Sequence, residues 1–262
     1  MTDSQFGVCH LSLVPVRAES SDKSEITSYV LFGDCFEVLE RAGNWALILT
    51  AFDKYAGWID IKQYISISAE QYETYSERSR ILGCAVYQPL MKVATSELLY
   101  LLAGSSIPPL NENSFYLNTE EYRFVTLPLF AVKDHFAEHV ASYARFFLQA
   151  PYLWGGKSLF GIDCSGFTQM VFKMLGITLK RDAWQQAEQG KAVNFLQESK
   201  AGDLAFFDND EGRIIHVGIM LGENEIIHAS GHVKIDSIDD QGIYSSDLQR
   251  HTHKLRIIKR FI

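Results

Sequence analysis

The stretch from Gly202 to Ile235, GDLAFFDNDEGRIIHVGIMLGENEIIHASGHVKI, decides how the second half of the chain folds. Three apolar runs, Leu204 to Phe207, Ile214 to Leu221 and Glu225 to Ala229, are separated by DNDEG and GEN. Such turn-formers between apolar runs read as strand, turn, strand, turn, strand. Gly222 and Asn224 tolerate the positive φ that a tight hairpin needs. A three-residue connection at 222–224 pairs Leu221 with Glu225. His216 and His228 are then two positions off direct opposition, on one face, as diagonal neighbours roughly 7–8 Å apart. A one-residue slip would put them on opposite faces. DNDEG at 208–212 lacks the long loop and terminal Glu of a calcium site and reads as a hairpin turn.

Upstream of this sheet the pattern is helical. After Cys164, apolar residues fall at Phe167, Met170, Val171, Met174 and Leu175, one face of a helix. Gly176 supplies its C-terminal stop, and Asp163 or Ser165 its cap. Cys164 therefore sits in the first turn, where unpaired N–H groups and the helix dipole favour an anion. A thiolate is such an anion, and a helix start beside an imidazole lowers a thiol's pKa. A thiol needs a general base, which His216 suits, and the base needs a partner to fix its tautomer, which His228 suits. Gly218 on the same strand leaves room beside His216. An earlier helix is expected in KDHFAEHVASYARFFLQA, capped by Asp134 and stopped by Pro151. Helices followed by an antiparallel set make an α+β unit over residues 131–262.

The first half reads differently. Residues 6 to 67 show short alternating runs broken by Gly33-Asp34, Ala42-Gly43-Asn44 and Asp53-Lys54, the signature of a small all-β barrel. SAEQYETYSERSR is a polar linker or a short helix. Residues 68–130 carry strand-like runs around Gly-Ser-Ser-Ile-Pro-Pro and fit the length of a second, degenerate barrel. QRHTHKLRIIKRF near the end alternates like an edge strand. His251 and His253 there could share a side, but a metal site would need further ligands.

The 262 residues, 47% hydrophobic and 21% charged, make a folded globular protein. The net charge of −8 argues against nucleic acid or an anionic membrane surface as partner. No apolar run approaches the roughly 20 residues of a spanning helix. The start, MTDSQFGVCHLSLVPV, carries Asp3 and has no basic segment ahead of an apolar core, which reads as no signal peptide and a cytoplasmic protein. A removed leader would instead place it in the periplasm or outside the cell. Cys9, Cys35, Cys84 and Cys164 form no CxxC pair, and the first three read as small core or surface residues. The reading calls for no metal and no cofactor.

Two resemblances bear on function. VRAESSDKSEITSYVLFGDCFEVLE with the later YAGWI resembles bacterial SH3-like domains, over residues 1–67 and, in degenerate form, 68–130. PYLWGG, DCSGF, GDLAFF, HVGIML and IIHASG, in this order, closely resemble the NlpC-type cell-wall peptidases, which have a papain-like fold. The resemblance implies a Cys164–His216–His228 triad, the residues that geometry had already reached. It implies hydrolysis of the amide between γ-linked D-Glu and a diamino acid, meso-diaminopimelate or Lys, in peptidoglycan stem peptides. It also implies an oxyanion held by the Cys164 N–H, with the Tyr152 hydroxyl as a second donor. SH3-like units ahead of this catalytic unit resemble the γ-D-glutamyl-L-diamino acid endopeptidases that prefer a free N-terminal L-Ala. Substrate contacts are then expected at Trp154, Asp163, Ser165 and Asp182, with Glu25 and Tyr55 in the first barrel. Asp182 is the leading candidate for the L-Ala ammonium, because RDAWQQAEQG follows the family's Arg-Asp-Ser-x-x-Gln-x-x-x-Gly, with Ala183 in place of the Ser. The alternative readings are a wall-peptide binding module with an inert catalytic half, and acyl transfer by the same triad.

Overall fold

Alternating burial along Leu13–Arg17 and Trp45–Thr50 shows what builds the first half: every second side chain enters the core. The computed structural model describes residues 5–262, so Asp3, read above at the chain start, lies outside the described residues. The described chain divides into two compact units, with the boundary between Ala131 and Val132.

In the N-terminal unit, strands from residues 6 to 67 form one seven-stranded antiparallel sheet. Val14, Val16, Val30, Phe36, Ile48 and Ile59 fill its core. The segment after Ser68 is a helix, Ala69–Arg78, with a capping box between Ser68 and Gln71. A four-stranded antiparallel sheet follows within residues 88–124. Its Leu90, Leu101, Phe115 and Tyr122 share one apolar cluster with Val8, Phe32, Cys35 and Ile67 of the first sheet. Phe32 meets Phe115 and Tyr122 edge-on, so the two sheets are packed through a common aromatic core.

The C-terminal unit holds three helices, α1 (Phe136–Phe146), α2 (Cys164–Met174) and α3 (Ala183–Ala187). The strands of its main sheet are β1 (Lys191–Val193), β2 (Leu204–Asp208), β3 (Ile214–Met220), β4 (Glu225–Ser230), β5 (His232–Asp239), β6 (Gly242–Ser245) and β7 (Arg250–Arg260). The sheet order is β1-β7-β2-β3-β4-β5-β6, and β6 also pairs with β7, which closes β2 to β7 into a barrel. The edge strand expected near the C-terminus is thus interior. β7 is long enough to pair with β6 at its start and with β2 and β1 further along.

Helix ends also differ from expectation in part. α1 begins after His135, held in the left-handed conformation with no side-chain cap, and not at Asp134. It ends at Phe147, ahead of Pro151, where Gln149 turns left-handed. α2 starts where expected, with the Asp163 carboxylate accepting from the Gly166 N–H. Gly176, at φ 79°, ends it by donating to the Lys173 carbonyl, while Ile177 donates to that of Phe172. The expectation of one apolar face is too narrow: all of Cys164 to Met174 is buried. Two of its polar side chains find partners inside: the Gln169 amide nitrogen donates to the Leu179 carbonyl, and the Thr168 hydroxyl donates to Gln186.

Candidate active site

The start of α2 is held by a buried ion pair. Arg181, 1% exposed, donates to both Asp163 oxygens, at 2.6 and 3.1 Å, and to the Ser165 hydroxyl at 2.9 Å. Asp163 also accepts from the Gly155 N–H at 2.8 Å, which ties the WGG turn to the cap of α2. Gly166 makes that approach possible, since a Cβ there would stand 2.2 Å from the Gly156 carbonyl oxygen. Asp163 and Ser165, expected as substrate contacts, are buried and engaged with Arg181. They hold the start of the helix that begins at Cys164. Asp182 is the N-cap residue of α3, and its N–H donates to Gln185. Gln186 of that helix donates to the Ser165 and Lys180 carbonyls, so α3 is locked to the start of α2. Arg181 and Gln186 were visible in the sequence only as parts of the RDAWQQ segment.

α2 packs on β3, and β3 pairs with β4 in the register that a three-residue connection sets: Gly218 opposes His228, and Ile219 opposes Ile227. His216 and His228 are therefore diagonal neighbours on one face. Their rings come together edge to face, with His216 Nε2 2.9 Å from His228 Nδ1. Gly218 makes room, though for His228 and not for His216. A Cβ on residue 218 would lie 2.9 Å from His228 Cβ and 2.7 Å from Ile226 Cδ1.

Three further residues complete the cluster. His228 Nε2 lies 3.2 Å from Asp236 Oδ2, and Lys234 is 3.3 Å from the same oxygen. His253 of β7 stacks on His216, ring centroids 4.1 Å apart and planes 24° from parallel. Ring nitrogens of His216, His228 and His253 all lie within 4.8 Å of one another. The near-parallel stack puts the His216 and His253 ring planes side by side, so their nitrogens cannot converge on one tetrahedral ion. His251, two residues earlier, turns instead to Asp239 at 2.9 Å.

Electrostatics set the resting state. Burial, and then the Asp163 carboxylate, push the Cys164 thiol up to about 12, against the pull of the Val217 N–H, Arg181 and the Ser165 N–H. The lowered thiol expected from the helix start is thus reversed, because desolvation outweighs the helix terminus. Burial, His228 and His253 hold His216 well below its ordinary 6.5. Burial also lowers His228, with Asp236 opposing. Burial, His228 and Lys234 bring His253 to about 4. Burial opposes ionisation of Asp236, yet His228 and Lys234 more than offset it and hold its carboxyl below the usual range. Both shifts favour the neutral pair, Cys164 thiol and His216 imidazole, over the ion pair.

Beside His216 lies a cavity of about 320 Å³ that Tyr152, Ile215, His253 and the Ala229–Gly231 segment also line. Burial above all raises the Tyr152 phenol well above its ordinary value, so it stays a hydrogen-bond donor. Cys164 is 7% exposed. Trp154, expected at the substrate, is 62% exposed. Glu25 and Tyr55 belong to the N-terminal unit, Glu25 exposed just before a strand and Tyr55 half-buried, with its N–H on the Thr50 hydroxyl.

A papain-like cysteine peptidase is the class that a helix-start thiol packed on an antiparallel barrel with paired imidazoles defines. The profile of the NlpC/P60 family matches residues 149–252, and that of the bacterial dipeptidyl-peptidase SH3 domain matches residues 16–63. The gamma-D-glutamyl-L-lysine dipeptidyl-peptidase of Bacillus subtilis (strain 168) is 32% identical over 222 residues, 78% of this chain and 72% of that one. Dipeptidyl-peptidase 6 of Lysinibacillus sphaericus is 25% identical over 256 residues, 88% of this chain and 91% of that one. Among solved structures, an NlpC/P60 family protein from Bacillus cereus ATCC 10987 shares the fold at a TM-score of 0.80 and 19% identity, over 97% of this chain and 99% of that one. The chain belongs to the NlpC/P60 family, whose members matched here include named peptidases.

Proposed function

We propose that the protein is a cysteine endopeptidase that hydrolyses the γ-D-glutamyl-L-diamino acid amide of peptidoglycan stem peptides and prefers a free N-terminal L-Ala. The observation that carries the reading is the hydrogen-bonded His216–His228 pair on β3 and β4, set against the helix that begins at Cys164. The names of the relatives support the same bond. In this reading His216 takes the Cys164 proton as the sulfur attacks the amide carbonyl. The Cys164 N–H, at the first helical position and without an intrahelical acceptor, and the Tyr152 hydroxyl donate to the oxyanion. His216 returns the proton to the leaving amine, and water then releases the thioester.

Asp182 is the group proposed to bind the L-Ala ammonium, and amide-linked chains, which lack that charge, would then be disfavoured; Glu25 and Tyr55 are the alternative candidates. The test is mass spectrometry of digests of L-Ala-γ-D-Glu-diaminopimelate and its Lys counterpart, with free and with acetylated N-termini. Cleavage at the γ-D-glutamyl bond of the free peptides, lost in Cys164→Ala, is the expected result. Equal cleavage of blocked peptides would remove the ammonium preference, and unchanged cleavage by Cys164→Ala would remove the mechanism. One observation favours a second reading, a wall-peptide binding module: the enclosure of Cys164, which is only 7% exposed. In that case peptide binds with no turnover.

A further inference from the structure

His216, His228 and Asp236 form one row across three strands. His228 directly opposes Lys234 on β5, so Asp236 stands one diagonal step from His228, as His228 stands one diagonal step from His216. The same side of the sheet thus carries imidazole, imidazole and carboxylate in sequence, joined at 2.9 and 3.2 Å. All three are nearly enclosed, with exposures of 5% for His216, 0% for His228 and 6% for Asp236.

We propose that Asp236 is a positioning residue that fixes the tautomers of both histidines and so leaves His216 Nδ1 as the proton acceptor for Cys164; this rests on the peptidase reading above. The argument is one of donors and acceptors. An ionised carboxylate only accepts, so His228 must carry its proton on Nε2 to donate to Asp236. A neutral His228 then has a lone pair on Nδ1 and accepts from His216. His216 must therefore carry its proton on Nε2, and its Nδ1 lone pair is left for the thiol. On attack the Cys164 proton moves to His216 Nδ1, the electron pair of the S–H bond forms the carbon–sulfur bond as the π pair of the carbonyl moves onto its oxygen, and the Nε2–H···Nδ1 bond to His228 persists. Without the carboxylate, His228 can protonate on Nδ1, donate to His216 Nε2 and leave His216 with its proton on Nδ1, the wrong tautomer for a base. Lys234, itself 3.4 Å from Asp247, keeps a cation beside Asp236. His253 stacks on His216 without a hydrogen bond to this row.

The experiment uses the full chain labelled with ¹⁵N-histidine, and reads imidazole nitrogen shifts together with kcat and KM on L-Ala-γ-D-Glu-diaminopimelate. In the unaltered protein both His216 and His228 should show protonated Nε2 and unprotonated Nδ1. Asp236→Ala and Asp236→Asn should mix the tautomers of both rings and cut kcat by at least about 10-fold with KM little changed, up to the roughly 10²–10⁴-fold ascribed to a general base itself. Asp236→Glu, which keeps an acceptor-only group, should recover part of the kcat and the original nitrogen pattern. A His228 protonated on Nδ1 in the unaltered protein would overturn the proposal whether or not any variant folds. So would Asp236→Ala with unchanged kcat and unchanged shifts. An unaltered protein with the expected tautomers but no turnover would sink the peptidase reading and leave the tautomer assignment standing.

Discussion

Cys164 carries two opposed influences. The first turn of α2 offers N–H donors and a favourable dipole, and Val217 and Ser165 place N–H groups on the sulfur. Enclosure and the neighbouring Asp163 work against the thiolate and win, which leaves the thiol at about 12 and His216 neutral. The proton should therefore leave during attack, once substrate is in place, and not beforehand. Alkylation by iodoacetamide in the absence of substrate is the direct measure. Its rate at Cys164 should rise roughly 10-fold per pH unit between pH 7 and 9 without a plateau, as for any thiol titrating well above that range. Cys84, also raised to about 12 by burial, should behave alike. A plateau at Cys164 below pH 8 would mean a preformed thiolate and would refute the neutral resting pair.

At the level of elements, the site depends on one close approach that side-chain volume decides and on one buried ion pair. On β3, Gly218 lies opposite His228, and the added methyl of Gly218→Ala would press on backbone-anchored His228 Cβ and on Ile226. The expected result is loss of most activity, with a destabilisation of about 1–3 kcal/mol as in overpacked cores; kcat and a denaturant midpoint check it, and a fully active variant would show that the strand pair yields. At the start of α2, Arg181→Met would leave Asp163 buried without its cation. That should cost roughly 3–5 kcal/mol, the usual penalty for breaking a buried pair, and urea unfolding measures it. These elements also show what could be read before the structure. The β3–β4 register follows from a connection of three residues, and with it the meeting of His216 and His228. The same reasoning carried across Gly231 would have placed Asp236, because Ser230 opposes His232 there. Arg181 gave no such signal: its role depends on a helix cap reached through the tertiary fold. The complete burial of α2 and the interior position of β7 were hidden for a like reason, since periodicity reports which side of an element is apolar and not what covers the rest.

Across the whole molecule, burial of uncharged imidazoles should make stability depend on pH. His216, His228 and His253 in the C-terminal unit, and His10 in the N-terminal unit, are all lowered from 6.5, His10 by burial and by Lys92. Above about pH 7 these rings are neutral in both the folded and the unfolded chain, and the folded state has its full stability. As pH falls through 6.5 the unfolded chain takes up protons that the folded one refuses, so stability declines. The decline from His253 ends only near pH 4, its folded value. Each proton by which the unfolded state exceeds the folded state is worth about 1.4 kcal/mol per pH unit. Falling pH also relieves the net charge of −8, but that repulsion is spread over the surface and screened by salt, so the buried rings should dominate. The carboxyls of Asp236 and Asp239, both lowered, act in the same direction but only below their ordinary 3.8. The melting temperature should therefore drop markedly between pH 7.5 and 5.0 at constant ionic strength. His253→Phe keeps a ring against His216 and removes one titrating group, so its melting temperature should fall less steeply over the same interval. A melting temperature that holds steady from pH 7.5 to 5.0 would show that these rings titrate alike in both states.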